Sequence, residues 1–196
     1  EDTRLAMRAR QGRPVPLMEF RAHGEQGPVP WDGVTMGELE MRSPWVASRY
    51  VNESGPDDRF TPDGWFRTGD VVTIDPRGAI DIRDRAKDLV KSGGEWISSI
   101  ALESALLDHP AVAEAAVVAV PHAKWDERPL AVVVVRPGET TTADELLASL
   151  APRFARWWLP DAVEFVDAIP RTSTGKVLKS ALRDRFRDRY RVGTGA

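Results

Sequence analysis

The stretch GAIDIRDRAKDLVKSGGEWISSIALE, residues 78–103, decides how the chain is organised. It predicts, in order, a strand over residues 79–82, a charged crossing over residues 83–88, a second strand over residues 89–92, a glycine pair and a helix. Ser98 and Ser99 are good N-caps for that helix. Short strands and loops precede the crossing, whereas helices alternating with apolar strands follow it. We therefore predict a domain boundary near residues 85–87.

Length and composition are those of an ordinary folded protein. The 196 residues leave room for one domain or two small ones. Hydrophobic residues make up 42% and charged residues 29% of the chain, which argues against wholesale disorder. Because the formal net charge is only -3, bulk electrostatics give no reason to expect a nucleic-acid or membrane partner.

The chain contains no cysteine. This excludes a disulfide framework, a thiolate metal site and a cysteine nucleophile, and it favours a reducing, cytoplasmic compartment. Apolar runs such as residues 130–135 are too short to span a bilayer, so no transmembrane segment is predicted. The first residues lack a hydrophobic signal core and an initiator Met, so we expect the chain to begin partway through a longer protein.

Periodicity predicts an α+β fold in two parts, residues 1–86 and residues 87–196. Strands are predicted over residues 15–22, 37–42, 71–75, 79–82, 89–92, 112–120, 130–136 and 163–166. Helices are predicted over residues 99–107, from the capping box at Thr142 and Glu145 to about residue 155, and over residues 177–190. The buried stripe of the last helix is predicted to be Leu178, Ala181, Leu182 and Phe186.

Two segments, one before the boundary and one across it, carry candidate nucleotide-binding residues. In WFRTGD, residues 65–70, Asp70 follows a glycine at the mouth of a strand, where a carboxylate can accept two hydrogen bonds from a vicinal diol such as a ribose. A turn aspartate that caps its own backbone is the alternative. In DRAKD, residues 84–88, Arg85 offers a rigid fork for phosphate or ribose oxygens, and a surface ion pair is the alternative.

Two segments after the boundary are further candidates. The pair Gly93-Gly94 lets an extended ligand lie against the backbone, although a plain bulge or tight turn is equally compatible with the sequence. Lys176 ends PRTSTGK, a predicted mobile and solvated loop, and a lysine there can reach a phosphate or carboxylate oxygen. An ordinary loop at the start of a helix is the alternative. The segment is not a Walker A loop, because Pro170 and Val177 stand where that motif needs Gly and Ser or Thr. The three histidines lack metal-ligand spacing, so no metal site is predicted.

Taken together and in this order, these segments resemble the adenylate-forming superfamily, most closely the fatty acyl-CoA synthetases. GELEMRSPWVASRY, residues 37–50, resembles the family's GEL…GY segment, with Ser43 in place of the usual Gly. WFRTGD resembles the ribose-binding motif, and residues 78–103 resemble the hinge-and-loop motif. LPDAVEFVDAIPRTSTGKVLK, residues 159–179, is similar to the closing segment that carries the catalytic lysine.

The resemblance implies a small, mostly β remnant of the large adenylation domain, followed by a compact, mobile C-terminal domain. It also implies a two-step reaction, in which ATP and Mg²⁺ activate a medium- or long-chain fatty acid as acyl-AMP and coenzyme A then displaces AMP. The roles that it implies are nucleotide binding for Asp70 and Arg85, a hinge at Lys87, a coenzyme A channel along Gly93 and Gly94 with Trp96 beside it, and catalysis by Lys176.

Three functional hypotheses follow. In the first, the chain is the C-terminal part of a synthetase and is inactive alone, because the family's phosphate loop lies upstream of the matched residues. In the second, it is a stand-alone binding or regulatory module, which the retained Lys176 disfavours. The third, a nucleic-acid-binding domain, rests only on the arginine-rich residues 183–191, whose alternating charges favour a solvated helix face. A remnant without its neighbour would expose apolar surface, so self-association is expected.

Overall fold

The structure, a computed structural model, describes residues 7–8, 10–49 and 57–190. The chain divides into two compact units, Glu1–Lys87 and Asp88–Ala196. Every helix in the described part of the chain is too short or too polar to cross a bilayer. Tyr50, the last residue of the GEL…GY segment, lies outside the described residues.

The first unit contains a five-stranded antiparallel sheet. Its strands are β1 (Glu19–Gly24), β2 (Gly27–Pro28), β3 (Gly37–Arg42), β4 (Phe66–Ile74) and β5 (Ile80–Arg85). They lie in the order β2-β1-β3-β4-β5. A buried apolar cluster forms along β1, β3, β4 and β5 and consists of Ala22, Leu39, Val72, Ile74 and Ile80.

A tight turn joins β4 to β5. The Asp75 side chain accepts hydrogen bonds from the backbone N–H groups of Arg77 and Ala79, each at 2.9 Å, and these bonds lower the pKa of Asp75, that from Ala79 most strongly. Gly78 donates to the Asp75 carbonyl at 2.8 Å. The turn sets the register of the adjoining residue pairs, and a β-bulge between Val71 and Val72 shifts it by one residue before Asp70 and Arg85 face each other.

The second unit contains a mixed five-stranded sheet with helices on both faces. Its strands are β6 (Val90–Ser92), β7 (Glu95–Ile97), β8 (Val112–His122), β9 (Asp126–Val135) and β10 (Ala162–Phe165). Its helices are α1 (Ser99–Leu107), α2 (Ala143–Leu150) and α3 (Lys179–Phe186), with a 3-10 turn over Arg156–Trp158. Strand β9 pairs antiparallel with β6 and β8 and parallel with β10.

Successive residues of β8 point into two different cores. Val117 packs with α1 and α2, whereas Val118 packs with Leu182 of α3 on the opposite face. Because both faces of the β8–β9 hairpin are covered, these strands are continuous apolar runs rather than alternating ones. The α+β fold predicted from the sequence is confirmed.

Several predicted elements are confirmed closely. Strand β3 and helix α1 have the predicted bounds. Ser98 is the N-cap of α1, and its hydroxyl accepts a hydrogen bond from the Ala101 N–H at 3.1 Å. The capping box of α2 is also present, since Thr142 and Glu145 bond each other's backbone N–H groups. Helix α2 nevertheless ends at Leu150 rather than near residue 155, because Pro152 cannot continue a helix.

Several predictions about element boundaries are wrong, among them the first strand, which spans Glu19–Gly24 and not residues 15–22. Residues 83–85 belong to β5 instead of a solvated crossing, and strand pairing there buries Asp84 completely. Strand β4 begins at Phe66, so Asp70 lies inside it and not at its mouth. Strand β7 separates the glycine pair from α1. Helix α3 begins only at Lys179 and ends at Phe186. Leu178, which was predicted on its buried stripe, precedes the helix and is 37% exposed.

Candidate functional site

The β4–β5 hairpin brings together the two residues predicted to bind a nucleotide. Asp70 and Arg85 are opposite each other in the strand register. The Arg85 Nε atom lies 3.0 Å from the Asp70 Oδ1 atom, and the two side chains are 60% and 24% exposed. The surface ion pair that the sequence left open is therefore present. An ion pair this exposed contributes little to stability, and its guanidinium faces solvent, where a ligand can reach it.

The predicted hinge, Lys87, is exposed and is the last residue of the first unit. On its N-terminal side, Ala86 donates a backbone hydrogen bond to Gly69 of β4 at 2.9 Å. On its C-terminal side, Asp88 accepts a hydrogen bond from Arg183 of α3 at 2.9 Å. The residues on either side of Lys87 are thus each fastened within their own unit, and Lys87 lies between the two attachments.

Gly93 and Gly94 form the two-residue turn that joins β6 to β7. Their φ angles are +58° and +85°, and a hairpin turn with two positive φ angles strongly prefers glycine. Gly93 also contacts Trp125 so closely that a Cβ atom there would lie 2.9 Å from the indole ring. The tight-turn alternative is therefore realised, and the same conformation leaves a backbone without side chains at the surface. Trp96 is half-buried on β7.

A cavity of about 590 Å³ adjoins this glycine turn within the second unit. Its walls include Gly93, Trp125, Arg156 and Trp157. The two tryptophan side chains are 42% and 59% exposed, so the cavity combines aromatic surface with a cation and a bare backbone segment. Trp125, Arg156 and Trp157 were not identified from the sequence, because only folding brings them beside the glycine pair.

Lys176 is exposed at the end of a turn whose backbone is closed by hydrogen bonds. The Thr172 N–H donates to the Lys176 carbonyl at 2.8 Å, and the Lys176 N–H donates to the Thr172 hydroxyl at 3.2 Å. Arg171 donates to the Gly175 carbonyl at 2.9 Å. The prediction of a solvated segment fits the exposed side chains. These hydrogen bonds fix the backbone position from which the Lys176 side chain extends.

A second lysine, three residues further on, has a very different environment. The Lys179 ammonium lies 2.6 Å from the Glu103 carboxylate and donates to the Ser99 hydroxyl at 2.7 Å, with 12% of its side chain exposed. The same Glu103 oxygen accepts the Val117 N–H at 2.7 Å. Lys179 therefore fastens the start of α3 to α1, which leaves Lys176 as the lysine of this segment that a ligand can reach. No motif in the sequence distinguishes Lys179.

The ionisable groups with clearly shifted pKa values are residues other than these candidates. The largest concerns Tyr190, for which burial raises the pKa far above its ordinary value of 10. Its hydroxyl donates to the Pro129 carbonyl at 3.0 Å. Tyr190 is therefore a packing residue that stays protonated.

Comparison with known proteins gives consistent results. Residues 101–176 match the family model of the AMP-binding enzyme C-terminal domain. The long-chain-fatty-acid–CoA ligase of Thermus thermophilus is 52% identical over 193 residues, which are 97% of this chain and 36% of the relative. The 3-methylmercaptopropionyl-CoA ligase of Ruegeria lacuscaerulensis is 50% identical over 183 residues, which are 93% of this chain and 34% of the relative.

A solved structure also matches most of the chain. The crystal structure of ATP-bound MatB from Rhodopseudomonas palustris has a TM-score of 0.80 and 35% sequence identity, and the match covers 93% of this chain and 36% of that one. The chain thus spans about a third of the length of the relatives that it matches.

Proposed function

Because the chain belongs to the adenylate-forming superfamily and its second unit carries an AMP-binding enzyme C-terminal domain, we propose that it is the C-terminal part of an AMP-forming acyl-CoA synthetase. The two relatives described above are named as CoA ligases, and this supports an acid–thiol ligase activity for the longer protein. By themselves the 196 residues are proposed to be inactive, since they contain no Gly/Ser/Thr-rich phosphate loop ahead of the matched motifs.

The proposed reaction has two steps. In the first, a carboxylate oxygen attacks the α-phosphorus of ATP, the bond to the β-phosphate oxygen breaks, and acyl-AMP and pyrophosphate form. In the second, the thiolate of coenzyme A attacks the acyl carbon, and AMP leaves with the electrons of the broken carbon–oxygen bond. Mg²⁺ enters as the counter-ion of ATP. Within the described residues, no cluster of three or more His, Asp or Glu side chains could hold a metal ion.

The observation that carries the proposal is the contrast between Lys176 and Lys179. Lys176 is exposed on a turn closed by hydrogen bonds, whereas Lys179 is engaged by Glu103. In the first step, negative charge builds on the oxygens around the α-phosphorus. An ammonium group brought to that point stabilises the transition state, because a fixed cation in a site that excludes water acts more strongly than one in solution.

The other predicted residues have compatible roles. We propose that Asp70 accepts hydrogen bonds from the ribose hydroxyls and that Arg85, its partner at 3.0 Å, contacts the ribose or phosphate. Lys87 is proposed as the hinge about which the second unit turns between the steps, so that Lys176 can withdraw when the thiol approaches. Gly93 and Gly94 are proposed to line the path of the pantetheine arm, with Trp96 beside it.

The acyl group is the finer part of the proposal. The SGGEWIS form of residues 92–98 leans towards medium- or long-chain fatty acids, and the relative of 52% identity is named for long-chain fatty acids. The relative of 50% identity is named for 3-methylmercaptopropionyl-CoA. We therefore propose a fatty acid as the substrate on the strength of the likeness alone.

Exchange of labelled pyrophosphate into ATP, in the full-length parent protein, tests the role of Lys176. Lys176→Ala is expected to reduce the exchange by about 100- to 1,000-fold, as removal of one transition-state donor does in other enzymes. Ser173→Ala is the matched control, since it changes an exposed side chain in the same turn without removing a cation, and it should leave exchange unchanged. The 196-residue chain alone should give none. Full pyrophosphate exchange by Lys176→Ala would exclude this role for Lys176. Exchange by the isolated 196-residue chain would contradict the proposal that it is inactive alone.

A further inference from the structure

Arg128, on β9, is a buried cation that the two proposed steps do not use. Its side chain is 9% exposed. All five of its N–H donors are engaged, with acceptors at 2.6–3.0 Å that comprise both carboxylate oxygens of Asp161, the Ser92 hydroxyl and the carbonyls of Trp157 and Leu159. One guanidinium therefore joins the end of β6 to residues 157–161.

The position of this arginine is unusual for its strand. Arg128 directly precedes the apolar run of β9, whose residues 130–133 are completely buried. Burying a cation in such surroundings costs free energy even when it is paired, and a well-packed apolar residue would often be as stable. A purely stabilising role is therefore a weak explanation for it. The rigid fork of arginine, which can hold several acceptors in fixed directions, is the property that this site uses.

The acceptor on β6 is the residue directly before the glycine turn. Ser92 pairs with Asp126, and this single residue pair is the whole β6–β9 ladder. Side-chain and turn contacts therefore fix where the turn lies. Arg128 donates to the Ser92 hydroxyl at 3.0 Å, and the Gly93 N–H donates to the Trp125 carbonyl at 2.9 Å.

Arg128 also lines the neighbouring cavity and holds other lining residues in place. It donates hydrogen bonds to the Trp157 carbonyl and to Asp161, and both of these residues line the cavity together with Gly93. The shape of the cavity beside the glycine turn thus depends on one side chain that is bonded to several of its lining residues. A change in the hydrogen bonds of Arg128 would therefore alter how an extended ligand binds beside Gly93.

We propose that Arg128 is a positioning residue for the thiol-transfer step. Resting on the function proposed above, this inference holds that Arg128 fixes the Gly93-Gly94 turn against which the pantetheine arm of coenzyme A lies. Arg128 does not touch the thiol itself, because its donors are all used within the protein. The adenylation step, which depends on Lys176 and the nucleotide residues, should be insensitive to it.

The test separates the two half-reactions in the full-length parent protein. Arg128→Lys keeps the charge but cannot reproduce the fork, so the turn should shift. We expect KM for coenzyme A to rise by about 10- to 100-fold, the scale of a displacement of about 1 Å, while pyrophosphate exchange stays near its wild-type rate. Saturating coenzyme A should recover much of kcat, and a general loss of folding would not produce this split.

Two further variants complete the design. Asp161→Asn weakens the ion pair without changing side-chain size, and it should raise KM for coenzyme A in the same direction. Arg189→Lys is the matched control, because Arg189 pairs with Glu164 in an exposed ion pair elsewhere in the second unit, and it should have no effect.

Each outcome has a defined meaning. If Arg128→Lys and Asp161→Asn leave KM for coenzyme A unchanged, or if both half-reactions fall equally, the inference is wrong. If Arg128→Lys does not fold, Asp161→Asn alone decides. A wild-type protein that makes acyl-AMP but never transfers the acyl group to coenzyme A would instead contradict the proposed function.

Discussion

At the scale of single residues, Asp70 and Arg85 form an ion pair with each other and are also the two residues proposed to bind the nucleotide. The ion pair is exposed, so it contributes little to folding. Its members are nevertheless held opposite each other by the β4–β5 register, so the proposed nucleotide site would contain a carboxylate and a guanidinium side by side. Breaking this ion pair costs little stability, which suits two side chains that are proposed to exchange each other for a substrate.

Asp70→Asn tests this role in the parent protein. The amide removes the charge while keeping the size, and we expect KM for ATP to rise by roughly 10- to 100-fold, since hydrogen bonds to charged groups contribute about 1.5–3 kcal/mol. Asp63→Asn is the matched control in the same unit, where Asp63 lies 3.5 Å from Arg21, and it should leave KM unchanged. An unchanged KM for ATP in Asp70→Asn would remove Asp70 from the nucleotide site.

At the scale of elements, helix α2 depends on its first turn. Thr142 and Glu145 form the capping box, and Asp144 adds negative charge at the same end. The pKa of Glu145 is lowered, chiefly by the hydrogen bond from the Thr142 backbone and further by the Thr141 and Thr142 hydroxyls. Because the folded-state pKa lies below the ordinary value, the carboxylate contributes stability above that value and loses it as pH falls through the lowered pKa.

The corresponding prediction compares unfolding at two pH values. Glu145→Gln can still accept the capping hydrogen bond but carries no charge, so it should lower the urea midpoint at pH 7, and this effect should be smaller at a pH below 4.5, the ordinary pKa of a glutamate. Thr142→Ala removes the hydroxyl cap and should cost about 1 kcal/mol at neutral pH. Glu139→Gln, an exposed glutamate outside the helix, serves as the control. An effect of Glu145→Gln that is equal at both pH values would show that the charge is not involved.

At the scale of the whole molecule, the two units meet in sequence at Lys87. Ala86 is bonded to β4 and Asp88 to α3, so a rotation of the backbone at Lys87 would leave both attachments intact. This arrangement supports the proposed hinge. Self-association of the chain stays a prediction, and the exposed Trp45 and Val34 of the first unit are the apolar surface that favours it.

Lys87→Pro tests the hinge in the parent protein. Proline fixes φ and restricts Ala86 as well, so it should favour one arrangement of the units. We expect the ratio of the two half-reaction rates to change by roughly tenfold or more, because each step needs its own arrangement. Lys87→Ala, which leaves the backbone free, should preserve the ratio. Equal rates in Lys87→Pro and the wild type would mean that the pivot lies elsewhere.

Local patterns were sufficient to predict the features that depend on neighbouring residues. The Ser98 N-cap, the Thr142–Glu145 capping box and the paired apolar strands β8 and β9 follow from patterns a few residues long. The order of the motifs indicated the family to which the comparisons also point, and the motifs supplied seven candidate site residues. Their roles in the reaction stay predictions.

Long-range contacts settle which of the charged side chains are held inside the protein. No local pattern indicates that Lys179 is less exposed than Lys176, yet packing pairs Lys179 with Glu103, 76 positions earlier in the chain. It likewise buries Asp84, and it joins Arg128 to Ser92 across 36 positions. Contacts between residues so far apart follow from strand register and from the way that the helices cover the sheet, and no local pattern encodes them.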